Sequence, residues 1–376
     1  MLAAALTPSL EKKVPASDNA TQLQFYLTSG EAWEAMYRDC EAAAATIDFE
    51  QYILQDDEIG KRFLNLLIAK AKEGIKVRLI LDKIGGRKLY RSVAVNELEK
   101  QGGQVEFYNP IGVLNLFFPK TWFPRTHMKT VIIDSKTAYL GGVCFADEMC
   151  DWRDTQLRIN GKMVKDIEED FTAIWRRVKE GIKTQPRPYP PLHEPLRYVA
   201  SRPLSRAHPS PLYTELLLKI RQAKKRIYLV SPYFLPPWRL RRHLRAAIKR
   251  GVEVRIIMGG KTDSSFTDHV SHSYFPRWLG LGMHLHLYRR NVMHAKYSII
   301  DDDWATIGST NMDYLSLLRN REGNIVTCDP ALIAELLAHF KNDLSHSIEA
   351  NWEFWRKIPR HHKIIGYLGR SLKKIM

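Results

Sequence analysis

The sequence predicts an α/β fold that is duplicated internally into two halves, each built around a mixed sheet. Three observations support this prediction: a Pro-rich stretch near the middle of the chain, the same order of strand and helix patterns on either side of it, and a short phrase that occurs once in each half. At 376 residues the chain exceeds the usual size of a single hydrophobic core, which also favours two domains or two fused halves.

The Pro-rich stretch spans 183–211 and contains eight of the nineteen prolines. Proline fixes φ and removes a backbone donor, so this stretch is predicted to be an extended connector. It divides the chain into an N-terminal extension (1–21), a first half (22–182), a second half (212–355) and a tail (356–376).

Each half begins with a strand, an amphipathic helix, a Gly turn and a second strand. In the first half "IDFEQYIL" at 47–54 leads to "KEGIKVRLIL" at 72–81, and in the second "YLVSPYFL" at 228–235 leads to "KRGVEVRIIM" at 249–258. This pattern is typical of a βα unit followed by a parallel neighbouring strand. Because the order of features is shared, duplication is favoured over a chance similarity between βα units.

The repeated phrase is "HMKTVIID", which begins at His127, and "HAKYSIID", which begins at His294, 167 residues later. Both phrases are apolar and rich in strand-forming residues, so each is predicted to be a strand. Residues two apart on a strand share a face, which puts Lys129 beside His127 and Lys296 beside His294.

The aspartate that ends each phrase, Asp134 or Asp301, lies seven residues after its histidine. An odd offset turns the two side chains to opposite faces of a strand. Strand parity therefore predicts that each Asp ties the following turn and does not orient the imidazole.

The segment after each phrase predicts a returning strand and hence a hairpin, with turn centres near 135.5 and 302.5. The facing pairs in this register are His127–Cys144, Lys129–Gly142, His294–Asn311 and Lys296–Ser309. Small and amide residues would then face the His-Lys pairs and leave room for a ligand.

The acids that orient the imidazoles are predicted further along the chain. Asp154 lies 27 residues after His127, and Glu322 lies 28 residues after His294. The matching offsets assign one acid to each histidine, as in a nucleophile–base pair. The alternative is that each acid pairs with a neighbouring Arg at the surface.

The charge of the chain points to an anionic ligand. The formal charge is +16 and the pI about 9.6, which favours nucleic acid, an anionic membrane or a substrate that carries phosphate. A Lys beside each His disfavours a metal ion, and the four cysteines have no CxxC spacing. Phosphate is the guest that fits best, and no cofactor or metal is predicted.

The paired HxKxxxxD phrases, with "GSTNMD" after the second, resemble those of the phospholipase D superfamily. The stretches "YILQDDEIG", "GIKVRLILD" and "LGGVCFADE" make the chain most similar to bacterial cardiolipin synthases of the type without amino-terminal transmembrane helices. The resemblance implies a phospholipase D-like fold in which two α/β halves meet at a pseudo-twofold axis, with one active site between them.

The same resemblance implies ping-pong transfer through a phosphohistidine. His127 would be the nucleophile and His294 the general acid and base, although pseudo-symmetry leaves the reverse assignment open. The catalytic motif residues would be His127, Lys129, Asp134, His294, Lys296 and Asp301, with Ser309, Asn311, Asp154, Glu322 and Gly142 in support. The chain departs from the family in carrying Cys144 where Asn is usual.

Two segments favour lipid over nucleic acid as the substrate. Residues 111–125 combine aromatic and aliphatic side chains with flanking cations, and the tail 356–376 has the pattern of a basic amphipathic helix, as membrane-surface segments do. The alternatives are core packing for the first and a packed or frayed tail for the second. No stretch approaches the ~20 apolar residues that span a bilayer.

The resemblance therefore implies phosphatidyl transfer between phospholipids such as phosphatidylglycerol, by a cytoplasmic enzyme peripheral to the inner face of the cell membrane. Hydrolysis of phospholipid to phosphatidic acid and cleavage of nucleic-acid phosphodiesters are the alternatives. The sequence predicts neither the lipid donor and acceptor nor the oligomeric state.

Overall fold

The structure is a computed structural model. It describes residues 21–109, 123–181, 189–190, 192, 194–201, 210–262 and 264–372. Most of the predicted membrane segment 111–125 and much of the connector 183–211 lie outside the described residues.

The chain forms the same succession of elements twice. The elements of the first half are β1 (Gln22–Thr28), α1 (Ser29–Glu41), β2 (Thr46–Gln51), α2 (Glu58–Lys72), β3 (Lys76–Asp82), α3 (Val93–Lys100), β4 (Gln104–Tyr108), β5 (Lys129–Ile133), β6 (Thr137–Gly141), β7 (Arg153–Asn160) and α4 (Met163–Glu180). Short 3₁₀ turns lie at 87–89 and 147–149.

The second half adds extra helices to this plan. Its elements are β8 (Leu196–Ser201), α5 (Pro211–Gln222), β9 (Arg226–Val230), α6 (Trp238–Lys249), β10 (Glu253–Gly259), α7 (Ser265–Ser273), α8 (Phe275–Leu279), β11 (His284–Tyr288), β12 (Tyr297–Ile300), β13 (Trp304–Gly308), α9 (Tyr314–Leu318), β14 (Glu322–Thr327), α10 (Pro330–Ser345), β15 (Ser347–Glu349), α11 (Trp352–Lys357) and α12 (Arg360–Gly369). A 3₁₀ turn follows at 370–372.

The two sheets have the same strand order, which confirms the predicted duplication. Within the described residues the first sheet runs β1-β7-β6-β5-β2-β3-β4, and the second runs β8-β14-β13-β12-β9-β10-β11-β15. In each, the first βα units give three parallel strands, and the His-Lys strand, β5 or β12, pairs antiparallel beside them. Both sheets are therefore mixed, as the sequence predicts.

The connector contains a strand that the proline content did not predict. Residues 196–201 form β8, which pairs antiparallel with β14 at the edge of the second sheet. This run, "LRYVAS", contains no proline, so its backbone donors are available for the sheet. The second half therefore begins inside the predicted connector, before residue 212.

A shared core joins the halves. Each half has its own cluster of buried apolar side chains, and a third cluster draws on both, with Met128 and Leu140 from the first half and Met293 and Ile325 from the second. Strands such as β3 contribute side chains to two clusters, because alternate residues along the strand face the core of their own half and the shared core. The sheet positions that approach the interface are thus fixed by packing on both faces.

The hairpins after the two phrases form, but the predicted register is wrong by one residue. Ile133 faces Thr137 and Ile300 faces Trp304, so each turn has three residues and not an even number. The first turn residue is an aspartate in the left-handed region, with φ of 53° at Asp134 and 51° at Asp301. In the second hairpin the Gly308 N–H donates to the Lys296 carbonyl (3.2 Å), so Gly308 replaces Ser309 as the neighbour of Lys296.

The two aspartates tie their turns to the rest of the sheet. The Asp134 carboxylate accepts the backbone N–H groups of 44–46, and the Asp301 carboxylate accepts those of 224–226, at 2.7–2.9 Å. Burial raises the pKa of each carboxyl, but these donors outweigh it and hold the pKa below its usual value. Both aspartates therefore lie at their turns, as strand parity predicts, with their carboxylates bonded to backbone N–H groups of the same half.

Asp301→Ala is expected to lower the free energy of unfolding by about 3 kcal/mol, because three N–H groups lose a charged acceptor and Ala is strained at positive φ. Activity per folded molecule should stay within about twofold of wild type. Asp302→Ala is the matched control, since its half-exposed carboxylate makes surface ion pairs expected to contribute less than about 1 kcal/mol. Urea denaturation measures both. Loss of turnover by a stably folded Asp301→Ala protein would contradict this purely structural role and indicate that Asp301 takes part in catalysis.

Candidate active site

The segment before each histidine pairs with the other half of the molecule. The N–H of His127 donates to the Arg321 carbonyl (2.8 Å), and the N–H of His294 donates to the Arg153 carbonyl (2.7 Å). Arg153 is the first residue of β7, and Arg321 immediately precedes β14. These strands therefore reach across the interface at their first residues.

The two acids consequently exchange partners. Glu322 Oε2 lies 3.0 Å from His127 Nδ1, and Asp154 Oδ2 lies 2.6 Å from His294 Nδ1. Both predicted acids lie against an imidazole, but each contacts the histidine of the other half and not the histidine that precedes it in its own half. Glu322 follows Arg321, whose carbonyl accepts the His127 N–H. Asp154 likewise follows Arg153, whose carbonyl accepts the His294 N–H. Backbone pairing therefore brings each acid to the histidine of the other half.

Buried ion pairs fix the same arginines. The Arg321 guanidinium bonds to Glu50 (2.9 and 3.0 Å) and to Asp170 (2.6 Å), both from the first half. Arg153 bonds to Asp343 of the second half at 2.7 and 2.8 Å. Such pairs are strongly destabilising to break because the remaining charge stays buried. These ion pairs fix the first residues of β7 and β14, where Asp154 and Glu322 lie.

Both lysines are buried next to their histidines. Lys129 Nζ donates to the His127 carbonyl at 2.8 Å, and Lys296 Nζ donates to the His294 carbonyl. Their side chains are at most 1% exposed. The sequence predicted this neighbourhood from the two-residue spacing, and the result is two ammonium groups in one low-dielectric site.

The histidines open into one cavity of about 170 Å³. Other residues that line it are Tyr52, Cys144, Tyr233, Thr267, Asn311 and Asp313. The two halves thus contribute to a single site, as the duplication predicts. Cys144 and Asn311, which were each predicted to face a histidine, both line the cavity. Gly142 and Ser309 lie behind it, next to the acids.

The family model described as cardiolipin synthase, PLD-like domain, matches residues 37–175 and 216–344, more than two thirds of the chain. The chain belongs to the cardiolipin synthase family of phospholipase D-like proteins. Each matched segment contains one His-Lys phrase, so the family match and the internal duplication coincide.

Relatives of this family cover most of the chain. A probable cardiolipin synthase of Bacillus subtilis is 33% identical over 84% of this chain and 65% of its own length. A cardiolipin synthase of Alkalihalophilus pseudofirmus is 31% identical over 93% of this chain and 71% of its own length. The chain thus spans about two thirds of the length of these relatives.

Two solved structures share the fold at low sequence identity. A phosphatidylserine synthase from Haemophilus influenzae superposes with a TM-score of 0.72 at 14% identity, covering 94% of this chain and 95% of the other. A polyphosphate kinase from Porphyromonas gingivalis gives a TM-score of 0.59 at 14% identity, over 94% of this chain and 53% of the other. The duplicated architecture is therefore that of known α/β proteins.

The two His-acid pairs of this family member differ in charge. Burial raises the pKa of Glu322 to about 8, although Lys129 and Ser309 favour its ionised form. Burial also raises the pKa of Asp154, but the charge of Lys296 and the contact with His294 outweigh it and hold the pKa below its usual value. At neutral pH His127 therefore faces a largely protonated carboxyl, whereas His294 faces a carboxylate.

His127 itself is held in the neutral form. Its pKa lies well below the usual value because the ring is buried and because Lys129 and Lys296 add positive charge nearby. A neutral imidazole whose Nδ1 contacts Glu322 can present Nε2 to an electrophile. An ionised Asp154, in contrast, stabilises positive charge on the other imidazole.

Gly142 and Ser309 occupy equivalent positions in the two halves, behind the histidines. Gly142 lies next to Asp154, and Ser309 lies next to Glu322, whose side chain is one carbon longer. The Ser309 hydroxyl donates to Glu322 Oε2 at 2.5 Å. A Cβ on Gly142 would lie 2.0 Å from Asp154 Oδ1, so only glycine leaves room for that carboxylate. Ser309, predicted to contact phosphate, is thus bonded to the acid that contacts His127.

Sequence reasoning missed several residues of the site. Asp313, the last residue of "GSTNMD", lines the cavity and caps α9 by accepting the Ser316 N–H (2.8 Å), and burial raises its pKa to about 7. The rings of Tyr52 and Trp152 lie edge-on to His127 and His294, with centroids 5.0 and 5.3 Å apart. The equivalence of Tyr52 and Tyr233 in the repeated βα units was the available signal.

Proposed function

We propose that this protein is a phosphatidyltransferase of the cardiolipin synthase type, which transfers a phosphatidyl group between phospholipids such as phosphatidylglycerol through a phosphohistidine. The observation that carries the proposal is the presence of two histidines in one cavity, each contacted at Nδ1 by a buried acid from the other half. Family membership and the names of the relatives support the lipid substrate.

In the first step His127 Nε2 attacks phosphorus, and the bond from phosphorus to the leaving alcohol oxygen breaks. A protonated His294 gives its proton to that oxygen, so glycerol leaves as the neutral alcohol when phosphatidylglycerol is the donor. In the second step His294 takes the proton of the acceptor hydroxyl, whose oxygen attacks phosphorus as the P–N bond breaks. His127 and His294 return to their starting states.

The charge that develops on the phosphoryl oxygens is stabilised by buried cations. Lys129 and Lys296 supply two ammonium groups in a site from which bulk water is largely excluded, where such charges act more strongly than in water. Asn311 lines the same cavity and adds a side-chain amide. In the first half Cys144 stands in the corresponding place, where a thiol is only a weak donor.

We place the enzyme at the inner face of the cell membrane, bound to the anionic lipid surface from the cytoplasm. Among the described residues no helix has the length and apolar character needed to cross a bilayer. The formal charge of +16 supports attraction to an anionic surface.

Incubation of the purified protein with phosphatidylglycerol vesicles, followed by mass spectrometry, tests the proposal. A four-chain product with release of glycerol is expected. Phosphatidic acid as the sole product would show that the enzyme hydrolyses phospholipid and does not transfer the phosphatidyl group. Cleavage of DNA without any change in lipid would contradict both lipid reactions and favour a nuclease. A His127→Ala, His294→Ala double variant controls for contaminating activity.

A further inference from the structure

The last helix, α12, packs on the second half through a face of small residues. A Cβ on Gly366 would lie 2.1 Å from the His269 carbonyl oxygen, and one on Gly369 would lie 2.5 Å from a methyl of Val270. Both contacted residues belong to α7. The glycines that weaken α12 as an isolated helix therefore allow its backbone to pack closely against α7.

The side of α12 away from these glycines is apolar and open. Ile364 is 58% exposed and Leu368 72% exposed, one turn apart on the helix, with Tyr367 beside them at 46%. On the neighbouring α11 Trp352 is 45% exposed. A cluster of large apolar side chains on a single face marks a site of interaction.

Positive charge surrounds this apolar cluster. Its described basic residues on α11 and α12 are Arg356, Lys357, Arg360 and Lys363, all at least partly exposed. The acid of these two helices, Glu353, is paired with Lys357 at 2.7 Å. An apolar strip bordered by cations matches the surface of an anionic bilayer, where acyl chains lie beneath charged headgroups.

Helix α7, on which α12 packs, also borders the cavity. Phe266 of α7 is 41% exposed and lies beside Gly369, while the next residue, Thr267, lines the cavity. On the other side the guanidinium groups of Arg370 and Arg241 both lie over the Tyr274 ring, at 4.3 and 5.7 Å. Helix α6, which contains Arg241, starts at the exposed Trp238.

We propose that the face of α12 opposite its glycines, together with the neighbouring α11, docks on an anionic phospholipid bilayer, with Ile364 and Leu368 entering the headgroup region. The inference rests on the proposed function and adds the surface that brings the cavity to its lipid. Helix α12 thus acts as a rigid part of the second half: its glycines pack on α7, and its opposite face enters the bilayer.

Vesicle sedimentation of the full chain tests this proposal. With vesicles of phosphatidylglycerol and phosphatidylcholine, the double variant Ile364→Ser, Leu368→Ser should bind at least about tenfold more weakly than wild type, because two exposed apolar groups leave the interface. Wild type should also bind pure phosphatidylcholine vesicles much more weakly. Val93→Ser, a change at an apolar residue 86% exposed on α3 of the first half, is the matched control and should bind normally.

A second measurement separates docking from catalysis. Turnover of the double variant should fall with vesicles but stay near wild type with a short-chain phosphatidylglycerol dispersed as monomers. Unchanged vesicle binding, an equal loss on monomeric lipid, or a wild-type dimer that the double variant dissociates would each overturn the proposal. If wild type binds vesicles through these residues but turns over no lipid, the docking surface stands and the proposed function fails.

Discussion

His127→Ala is expected to lower turnover by about 10⁴-fold or more and to form no phosphoenzyme, whereas His294→Ala should still form the phosphoenzyme, more slowly than wild type, and retain it. The first variant removes the atom that bonds to phosphorus. The second leaves that atom in place but removes the group that protonates the leaving alcohol and later deprotonates the acceptor, so both steps slow. The neutral state of His127 and the carboxylate beside His294 assign the roles in this direction.

The measurement is a single-turnover experiment with phosphatidylglycerol labelled in the phosphate, quenched in base because phosphohistidine is labile in acid. His284→Ala, a change at a half-exposed histidine on β11, controls for general effects of losing an imidazole. A labelled intermediate in His127→Ala but not in His294→Ala would reverse the assignment. Wild-type turnover by His127→Ala would exclude a covalent mechanism through His127, and wild-type turnover by His294→Ala would exclude its role in proton transfer.

The duplication and the two His-Lys pairs could be predicted from sequence because they depend on local periodicity. The two-residue spacing of His127 and Lys129 fixes a shared face in any strand, and the seven-residue offset of Asp134 removes it from that face. These relations hold whatever the strand pairs with. The same reasoning placed Asp301 correctly at its turn.

The hairpin register could not be predicted because it depends on the conformation of one turn residue. An aspartate that accepts three backbone N–H groups is stabilised at positive φ, and this makes the turn three residues long. A change of one turn residue shifts each predicted facing pair by one position. Gly142 and Ser309 were therefore assigned to the lysines, although they contact the acids.

The exchange of acids is a tertiary feature with no counterpart in chain offsets. Asp154 and Glu322 follow their own histidines by nearly equal intervals, and pseudo-symmetry makes an exchanged arrangement fit these intervals equally well. The deciding contacts are the backbone bonds of Arg153 and Arg321 across the interface. An "RD" or "RE" pair looks like a surface ion pair in sequence, which concealed these contacts.

Asp154→Asn is expected to reduce turnover about 10³-fold at neutral pH while still forming phosphoenzyme, as a weaker form of His294→Ala. Loss of a carboxylate behind a histidine leaves its imidazole in the wrong tautomer and removes the charge that stabilises its protonated form. Because Asp154 contacts His294, the deficit should fall on proton transfer, while His127 still attacks phosphorus. If Asp154 instead supported His127, the histidine of its own half, Asp154→Asn would form little phosphoenzyme.

Glu322→Gln is the matched comparison, since it also replaces a carboxyl by its amide. With a pKa of about 8, Glu322 is largely protonated at neutral pH, so a neutral amide is a close substitute and turnover should fall less than about tenfold. As the pH rises through 8, the wild-type carboxyl ionises whereas the amide of the variant stays neutral, so the two pH profiles of kcat should diverge above pH 8. Equal losses for the two variants at pH 7 would contradict the unequal charge of the two acids, and with it the assignment of nucleophile and proton donor.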